Sequence, residues 1–214
     1  MMYLAIEGVI GVGKTTLARL LQPMFGAALL LEIFEENPFL ARFYEDRQRY
    51  AFQTQVFFLL SRYHQQRRMV NEILARGEPL LADYTFQKDA LFAAINLQGD
   101  ELEMYRRVHE ALAEKIPLPN LIVYLRASTN TLMQRISLRD RSYERSMERN
   151  YIAQLNQTYD EFFTRPSSTP ILTIETDHLD YVRRPEDLKW LENRIRQALH
   201  LDPFQPELPL KIGD

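Results

Sequence analysis

The chain of 214 residues contains no cysteine, which excludes disulfides and thiolate metal sites and fits a reducing, cytoplasmic setting. Neither sign of charge dominates: 26 basic residues against 29 acidic ones leave a net charge of -3. That balance gives no bulk electrostatic reason to expect a nucleic-acid polymer or a membrane surface as partner. No apolar run approaches the roughly 20 residues needed to cross a bilayer. There is no internal repeat or low-complexity segment, and the first apolar strand leads directly into a polar loop, so no secretory leader is expected. Four histidines are present without metal-ligand spacing,. Glycine is sparse as well, with seven residues, yet three of them fall between Gly8 and Gly13.

That concentration is the informative feature. Residues 8 to 15 read Gly8-Val9-Ile10-Gly11-Val12-Gly13-Lys14-Thr15, a complete G-x-x-x-x-G-K-[ST] phosphate-binding loop. Its glycines let successive backbone N–H groups turn inward on a polyphosphate. Lys14 reaches the β- and γ-phosphates, and Thr15 supplies a hydroxyl for Mg²⁺. The flanks agree: Met2 to Ile6 is a short apolar run suited to a buried strand. Thr15 to Met24 carries Leu17, Leu20 and Leu21 on one helical face,.

Further along, strand-like runs alternate with helical patterns. Strands are expected at 28–34, 79–83, 121–125 and 171–174, and helices at about 49–76, 102–115, 129–138, 151–163 and 185–199. This alternation predicts an α/β fold, a mostly parallel five-stranded sheet flanked by helices. One domain is expected over residues 1–200, followed by a proline-containing tail from 201 to 214. Ligands of such sheets gather at the carboxyl ends of strands, where Glu7-Gly8, Glu32, Asp83 and Arg126 fall.

Phosphoryl transfer needs a metal-bound polyphosphate, a positioned acceptor, often a base, and cations for the transition state. Acids at the ends of the second and third strands are candidates for base and metal support, although Glu32, Glu35 and Glu36 are not separated by spacing alone. Arg135 and Arg139 share a helix face and Arg141 follows at its end. Arginine suits bidentate phosphate contact, so the stretch reads either as a lid that closes on phosphate or as a solvated basic face. Phe52-Gln53-Thr54-Gln55 combines aromatics with amides, and Gln53 has the paired donor and acceptor needed to read a nucleobase edge,. An apolar stripe facing the core is the plainer reading for Phe57 and Phe58.

Taken together, Leu4 to Thr16, Glu35-Glu36-Asn37-Pro38-Phe39-Leu40, Phe52-Gln53-Thr54-Gln55 and Asp83-Tyr84-Thr85-Phe86 resemble the deoxynucleoside kinases, most of all the bacterial deoxyadenosine and deoxyguanosine kinase branch. The likeness runs from Met2 to about Leu199. It implies the P-loop kinase three-layer fold with a short arginine-rich lid at about 138–149. It also implies ATP- and Mg²⁺-dependent transfer to the 5′-hydroxyl of a deoxyribonucleoside, and a homodimer. The resemblance carries roles onto single residues. Gly8 to Thr16 grip ATP, and Asp180, in the segment Thr176–Tyr181, lies where the family wraps adenine. Glu32 matches the general base, although Ile33-Phe34 stands where many members have Pro-Val. Asp83 matches an acid near Mg²⁺ and the 5′-oxygen; the arginine that follows it in the family is Tyr84 here. Arg135, Arg139 and Arg141 match the lid arginines, and Glu144, with Tyr44, matches the partners of the sugar 3′-OH. Gln53, Asp89 and Phe92 match residues that pair with or stack on the base, a set that fits purines and cytosine better than thymine.

Two other readings make different demands. A nucleoside monophosphate kinase similar to thymidylate kinase needs an arginine for the acceptor phosphate, commonly at the position of Tyr84. A nucleotide-dependent switch would carry a Walker B aspartate in an Asp-x-x-Gly setting, and no such motif is found.

Overall fold

The computed structural model describes residues 2–34 and 36–202. Glu35 and the expected tail beyond Asp202 lie outside the described residues. Five strands, β1 (Tyr3–Gly8), β2 (Ala28–Leu30), β3 (Leu80–Ala82), β4 (Leu121–Arg126) and β5 (Ile171–Glu175), form one sheet in the order β2-β3-β1-β4-β5. Every neighbouring pair is parallel. The central strand β1 is buried on both faces, as expected of a strand covered by helices on either side. Its side chains alternate: Leu4 and Ile6 join the larger core, while Tyr3 and Ala5 join a smaller one with Leu30, Val70 and Tyr84.

Helix α1 (Lys14–Phe25) begins where Gly13 adopts φ 105° and ends at Gly26, also left-handed. It packs Leu17, Ala18 and Leu21 into the larger core, each leucine contributing about 1.5–3 kcal/mol by burial. After β2 come α2 (Leu40–Glu45) and the long α3 (Arg47–Ala75), which Asp46 caps through the Arg49 N–H. The remaining helices are α4 (Gln87–Asn96), α5 (Gly99–Ala113), α6 (Thr129–Arg139), α7 (Arg149–Phe163) and α8 (Pro185–Ala198), with a 3₁₀ turn at Ser142–Glu144.

The sequence predicts neither α2 nor α4. Helix α2 is six residues long, too short for a periodic signal. Helix α4 buries Lys88 and Asp89 beside Leu91 and Ala93, so polar residues occupy core-facing positions and blur the apolar stripe. The expected second strand is cut from residues 28–34 to Ala28–Leu30. Beyond it the Glu32 N–H goes to the Asp83 carboxylate, at 2.8 Å, instead of a neighbouring strand. The chain thereby leaves the sheet at the residue that resembles a base. The strand order also reverses at β1, so the crevice that such sheets offer to ligands opens beside the glycine loop. No described helix is long and apolar enough to cross a membrane.

Candidate functional site

The glycine loop separates two concavities. One is a cleft of about 680 Å³, bounded by Val12, Gly13, Thr16, Arg135 and the segment from Asp177 to Arg184. The other is an inner cavity of about 100 Å³ whose lining includes Lys14, Thr15, Glu32, Asp83 and Arg141. Gly11 and Arg139 border both, so any group passing from one to the other crosses there.

On the cleft side, Tyr181 lies across the loop, its hydroxyl donating to the carbonyls of Val12 at 3.3 Å and Gly13 at 3.2 Å. Arg135 donates to the Val12 carbonyl at 3.2 Å and to Thr176 Oγ1 and O at 3.0 and 2.6 Å. The position of Arg135 departs from the sequence expectation. It shares a helix with Arg139 but lies on the cleft side, away from the inner cavity, and fastens the loop to the segment after β5. Asp180 borders the same cleft; it accepts the Arg183 N–H at 3.1 Å.

At the loop itself, Lys14 donates to the carbonyls of Gly8 and Val9, at 2.8 and 3.2 Å. Burial, and next the nearby charge of Lys88, push its ammonium down to about 8. The Thr15 hydroxyl donates to Asp83 Oδ2 at 2.5 Å. Glu7, fully buried, fixes the loop after β3 by accepting the Thr85 N–H at 2.6 Å and its hydroxyl at 2.9 Å. Burial raises its carboxyl above the ordinary range, against the pull of Lys88 and Lys14.

In the inner cavity, Glu32 meets two cations. Arg62 donates to Oε1 through both Nε and Nη2, and Lys88 donates to Oε2 at 2.5 Å. Burial alone would raise the Glu32 carboxyl; Lys88 and then Arg62 more than offset this and hold it well below the usual carboxylate range. Arg62 also donates to Asp89 Oδ1. Gln55 lines the cavity, and its Oε1, like Asp89 Oδ2, is buried without a partner. Such orphaned acceptors cost about 1–3 kcal/mol each, which a ligand donor would recover. Phe92, Tyr44 and Glu144 complete the wall. Glu144 is buried and accepts from Arg139 at 2.6 Å, with Arg141 Nη1 3.7 Å away. Arg141 stacks over Phe34 at 4.2 Å, closing the lid over the segment that follows Glu32.

The structure therefore gathers Lys14, Thr15, Glu32, Tyr44, Asp83, Phe92, Arg139, Arg141 and Glu144 around one cavity, with Asp89 behind Arg62. It does not bring Gln53 there. Gln53 is exposed on α3, and Gln55, two residues on and rotated to the opposite side, takes the buried place. Arg126 is also absent from both concavities, held by Asp160 at 2.8 Å and Glu175 at 2.5 Å. Sequence reading missed Arg62 and Lys88 altogether. A signal for Arg62 existed: Gln55, Phe58, Arg62 and Gln66 fall on one buried face of α3, where polar residues at apolar spacing are unusual.

Comparison with known proteins agrees with this geometry. The deoxynucleoside kinase family model matches residues 4–200. The chain is 36% identical to a deoxyguanosine kinase of Bacillus subtilis (strain 168), over 92% of this chain and 97% of that one. It is 30% identical to a deoxyguanosine kinase of Lactobacillus johnsonii, covering 91% of each. Among solved structures, deoxyadenosine kinase from M. mycoides with bound dATP superposes with a TM-score of 0.80 at 25% identity, covering 92% of this chain and 100% of that one. The same enzyme with bound dCTP gives 0.78 at 25%, with the same coverage. A fold, a loop, two adjoining concavities and near full-length relatives coincide: the chain belongs to the deoxynucleoside kinase family.

Proposed function

We propose that this deoxynucleoside kinase transfers the γ-phosphoryl group of ATP to the 5′-hydroxyl of a purine deoxynucleoside, with deoxyguanosine preferred over deoxyadenosine and deoxycytidine as a slower acceptor. The observation that carries the choice of base is Arg62, buried between Glu32 and Asp89, with the unpartnered Gln55 Oε1 and Asp89 Oδ2 beside it. A guanidinium offers paired donors to the O6 and N7 acceptors of guanine. A carboxylate or amide oxygen accepts from its ring N–H. Thymine offers neither the paired acceptors nor an exocyclic amine. The relatives named deoxyguanosine kinase at 36% and 30% identity support the same choice.

In this reading the outer cleft takes the nucleoside of ATP between Arg135 and the segment 177–184, and the glycine loop takes its phosphates. Lys14 is the loop's charge for the β- and γ-phosphates. Thr15 and Asp83 fit Mg²⁺, which favours one or two protein oxygens together with phosphate oxygens; the ion would supply neutralisation of the triphosphate. The deoxynucleoside lies in the inner cavity, with its 3′-OH toward Tyr44 and Glu144 and its base stacked on Phe92. Glu32 accepts the 5′-OH proton as the oxygen attacks in line. The Tyr84 side chain turns into the core, so the position at which a monophosphate kinase carries its acceptor-phosphate arginine brings no charge to the cavity. This favours a nucleoside over a monophosphate as acceptor. Exposed Leu60 on α3 and Met104 and Val108 on one face of α5 support the homodimer, and the cysteine-free composition supports a cytoplasmic enzyme.

The test is a coupled ADP assay with ATP-Mg²⁺ and each deoxynucleoside in turn, then each monophosphate. The expected order of kcat/KM is deoxyguanosine, deoxyadenosine, deoxycytidine, with thymidine last. Turnover confined to monophosphates would overturn the acceptor, and deoxycytidine ranking first would overturn the base.

A further inference from the structure

We propose that Lys88 is the acceptor-side cation of the phosphoryl transfer: its ammonium pairs with Glu32 and turns to the γ-phosphoryl group as that group passes to the 5′-oxygen. The inference rests on the kinase reading above and deepens it.

The position is costly for a lysine by two independent measures. Its side chain is 6% exposed, and it sits in the first turn of α4, the end of a helix that disfavours a cation. A local rule broken twice, at the wall of the cavity and with Glu32 as partner, is the mark of a functional position,. Arg62 donates twice to Glu32 Oε1 and also pairs with Asp89, so Lys88 balances the second carboxylate of this cluster. It holds Glu32 Oε2, at 2.5 Å, and borders the cavity together with Lys14 and Thr15. Five cationic side chains line that cavity against three carboxylates. Asp89, behind Arg62, is a fourth carboxylate, so one cation remains in excess, a charge suited to the phosphoryl group.

Tyr84 explains why the charge comes from one turn later. Directly after Asp83, its ring is fully buried in the smaller core, and its hydroxyl donates to Gln65 Oε1 at 2.6 Å. Gln65 in turn donates to the Leu31 carbonyl at 2.9 Å. Position 84 thus braces the backbone beside Glu32 and brings no charge to the cavity, whereas Lys88 does.

In the step, the bond from O5′ to Pγ forms and the bond from Pγ to the bridging oxygen of ADP breaks. The 5′-OH proton goes to Glu32 Oε2, and ADP leaves with the electron pair. As negative charge spreads over the γ-oxygens, Lys88 is drawn from Oε2, which leaves that oxygen open to the proton.

The experiment compares wild type, Lys88→Met, Lys88→Gln and Lys88→Arg with deoxyguanosine, using ATP and ATPγS as donors. Wild-type turnover of the deoxynucleoside is the control for the kinase reading: if it is absent, that reading fails independently of Lys88. Given turnover, Lys88→Met and Lys88→Gln are expected to lower kcat about 100-fold, with Kd for ATP and for deoxyguanosine within about twofold. The ratio of the ATP rate to the ATPγS rate is expected to fall towards one, and Lys88→Arg to regain about tenfold. A structural ion pair would not move the thio ratio. Should Lys88→Met fail to fold, Lys88→Gln, which keeps a donor to Glu32, reads the same quantities. A kcat within about threefold of wild type in either folded variant, or a loss confined to KM with an unchanged thio ratio, overturns the proposal.

Discussion

Thr15 and Asp83 are joined across the site: the hydroxyl that ends the phosphate loop donates to Asp83 Oδ2 at 2.5 Å, while Asp83 Oδ1 receives the Glu32 N–H at 2.8 Å. One carboxylate therefore ties the end of the phosphate loop, the proposed Mg²⁺ position, to the backbone of Glu32, the proposed base. Asp83→Ala and Asp83→Asn separate these duties. Alanine leaves the Glu32 N–H without its acceptor, at a cost of about 1–3 kcal/mol, which lowers Tm by several degrees in a protein of this size. Asparagine keeps an oxygen for that N–H but loses the charge. It is expected to hold Tm within about 2 °C while kcat falls by about 100-fold or more. Thermal melts beside steady-state kinetics check the split, and a fully active Asp83→Asn variant would remove Asp83 from the metal.

The two glutamines of α3 give a sharper contrast. Gln53 is exposed and Gln55 is buried at the cavity with Oε1 unpartnered. Gln53→Ala is expected to change kcat/KM for deoxyguanosine less than about twofold. Gln55→Ala removes the proposed base contact and is expected to cost about 1–3 kcal/mol, or roughly 5- to 150-fold in kcat/KM. Equal effects of the two substitutions would mean that the base is not read from this face of α3.

That contrast also marks how far the sequence could be read. The glycine loop, the parallel sheet and most helices follow from local pattern, because loop chemistry and core burial act over a few residues. Position at strand and helix ends made Glu32, Asp83 and the arginines of α6 candidates, but only the family resemblance separated Glu32 from Glu35 and Glu36 and gave Glu144 and the lid arginines their roles. What did not follow depends on rotation about a helix axis. Gln53 and Gln55 are about 200° apart around α3, and only packing against β2 and α4 decides which is buried. Lys88 and Arg62 were hidden for a related reason: a charged residue on a helix normally reads as solvent-facing. Their burial rests on mutual pairing with Glu32 and Asp89, contributed by segments 27 to 56 residues apart in sequence. Tyr84 was read as a missing charge, whereas its hydrogen bond to Gln65 gives it a bracing role in the core.

Lys14 makes ATP binding depend on pH. Burial and the neighbouring Lys88 bring its ammonium down to about 8, whereas a triphosphate favours the charged form and raises that value on binding. Below this pH Lys14 is already protonated and binding takes up little. Above it the lysine must gain a proton as ATP binds, so affinity falls as pH rises through 8. Calorimetry in buffers of different ionisation heat is expected to report proton uptake at about pH 9 and almost none at about pH 7. The uptake should vanish in Lys14→Met. Equal proton balance at both pH values would place the Lys14 titration elsewhere.

Glu144 and Tyr44 both line the inner cavity and are the proposed partners of the sugar. Glu144 is buried, held by Arg139 at 2.6 Å and with Arg141 at 3.7 Å, and Tyr44 stacks on Tyr143 with ring centroids 6.1 Å apart. A carboxylate fixed by lid arginines at the cavity wall is a strong acceptor for a hydroxyl, and a charge-assisted bond of this kind is worth about 1.5–3 kcal/mol. Wild type is therefore expected to prefer a 2′-deoxynucleoside over its 2′,3′-dideoxy analogue by roughly 10- to 150-fold in kcat/KM. In Glu144→Gln the preference should shrink to a fewfold, chiefly by loss of activity on the natural sugar. Because Glu144 also anchors Arg139, which borders both concavities, kcat should fall along with selectivity. A variant that kept the full preference for the 3′-hydroxyl would assign that contact to Tyr44 alone and leave Glu144 as the lid's anchor.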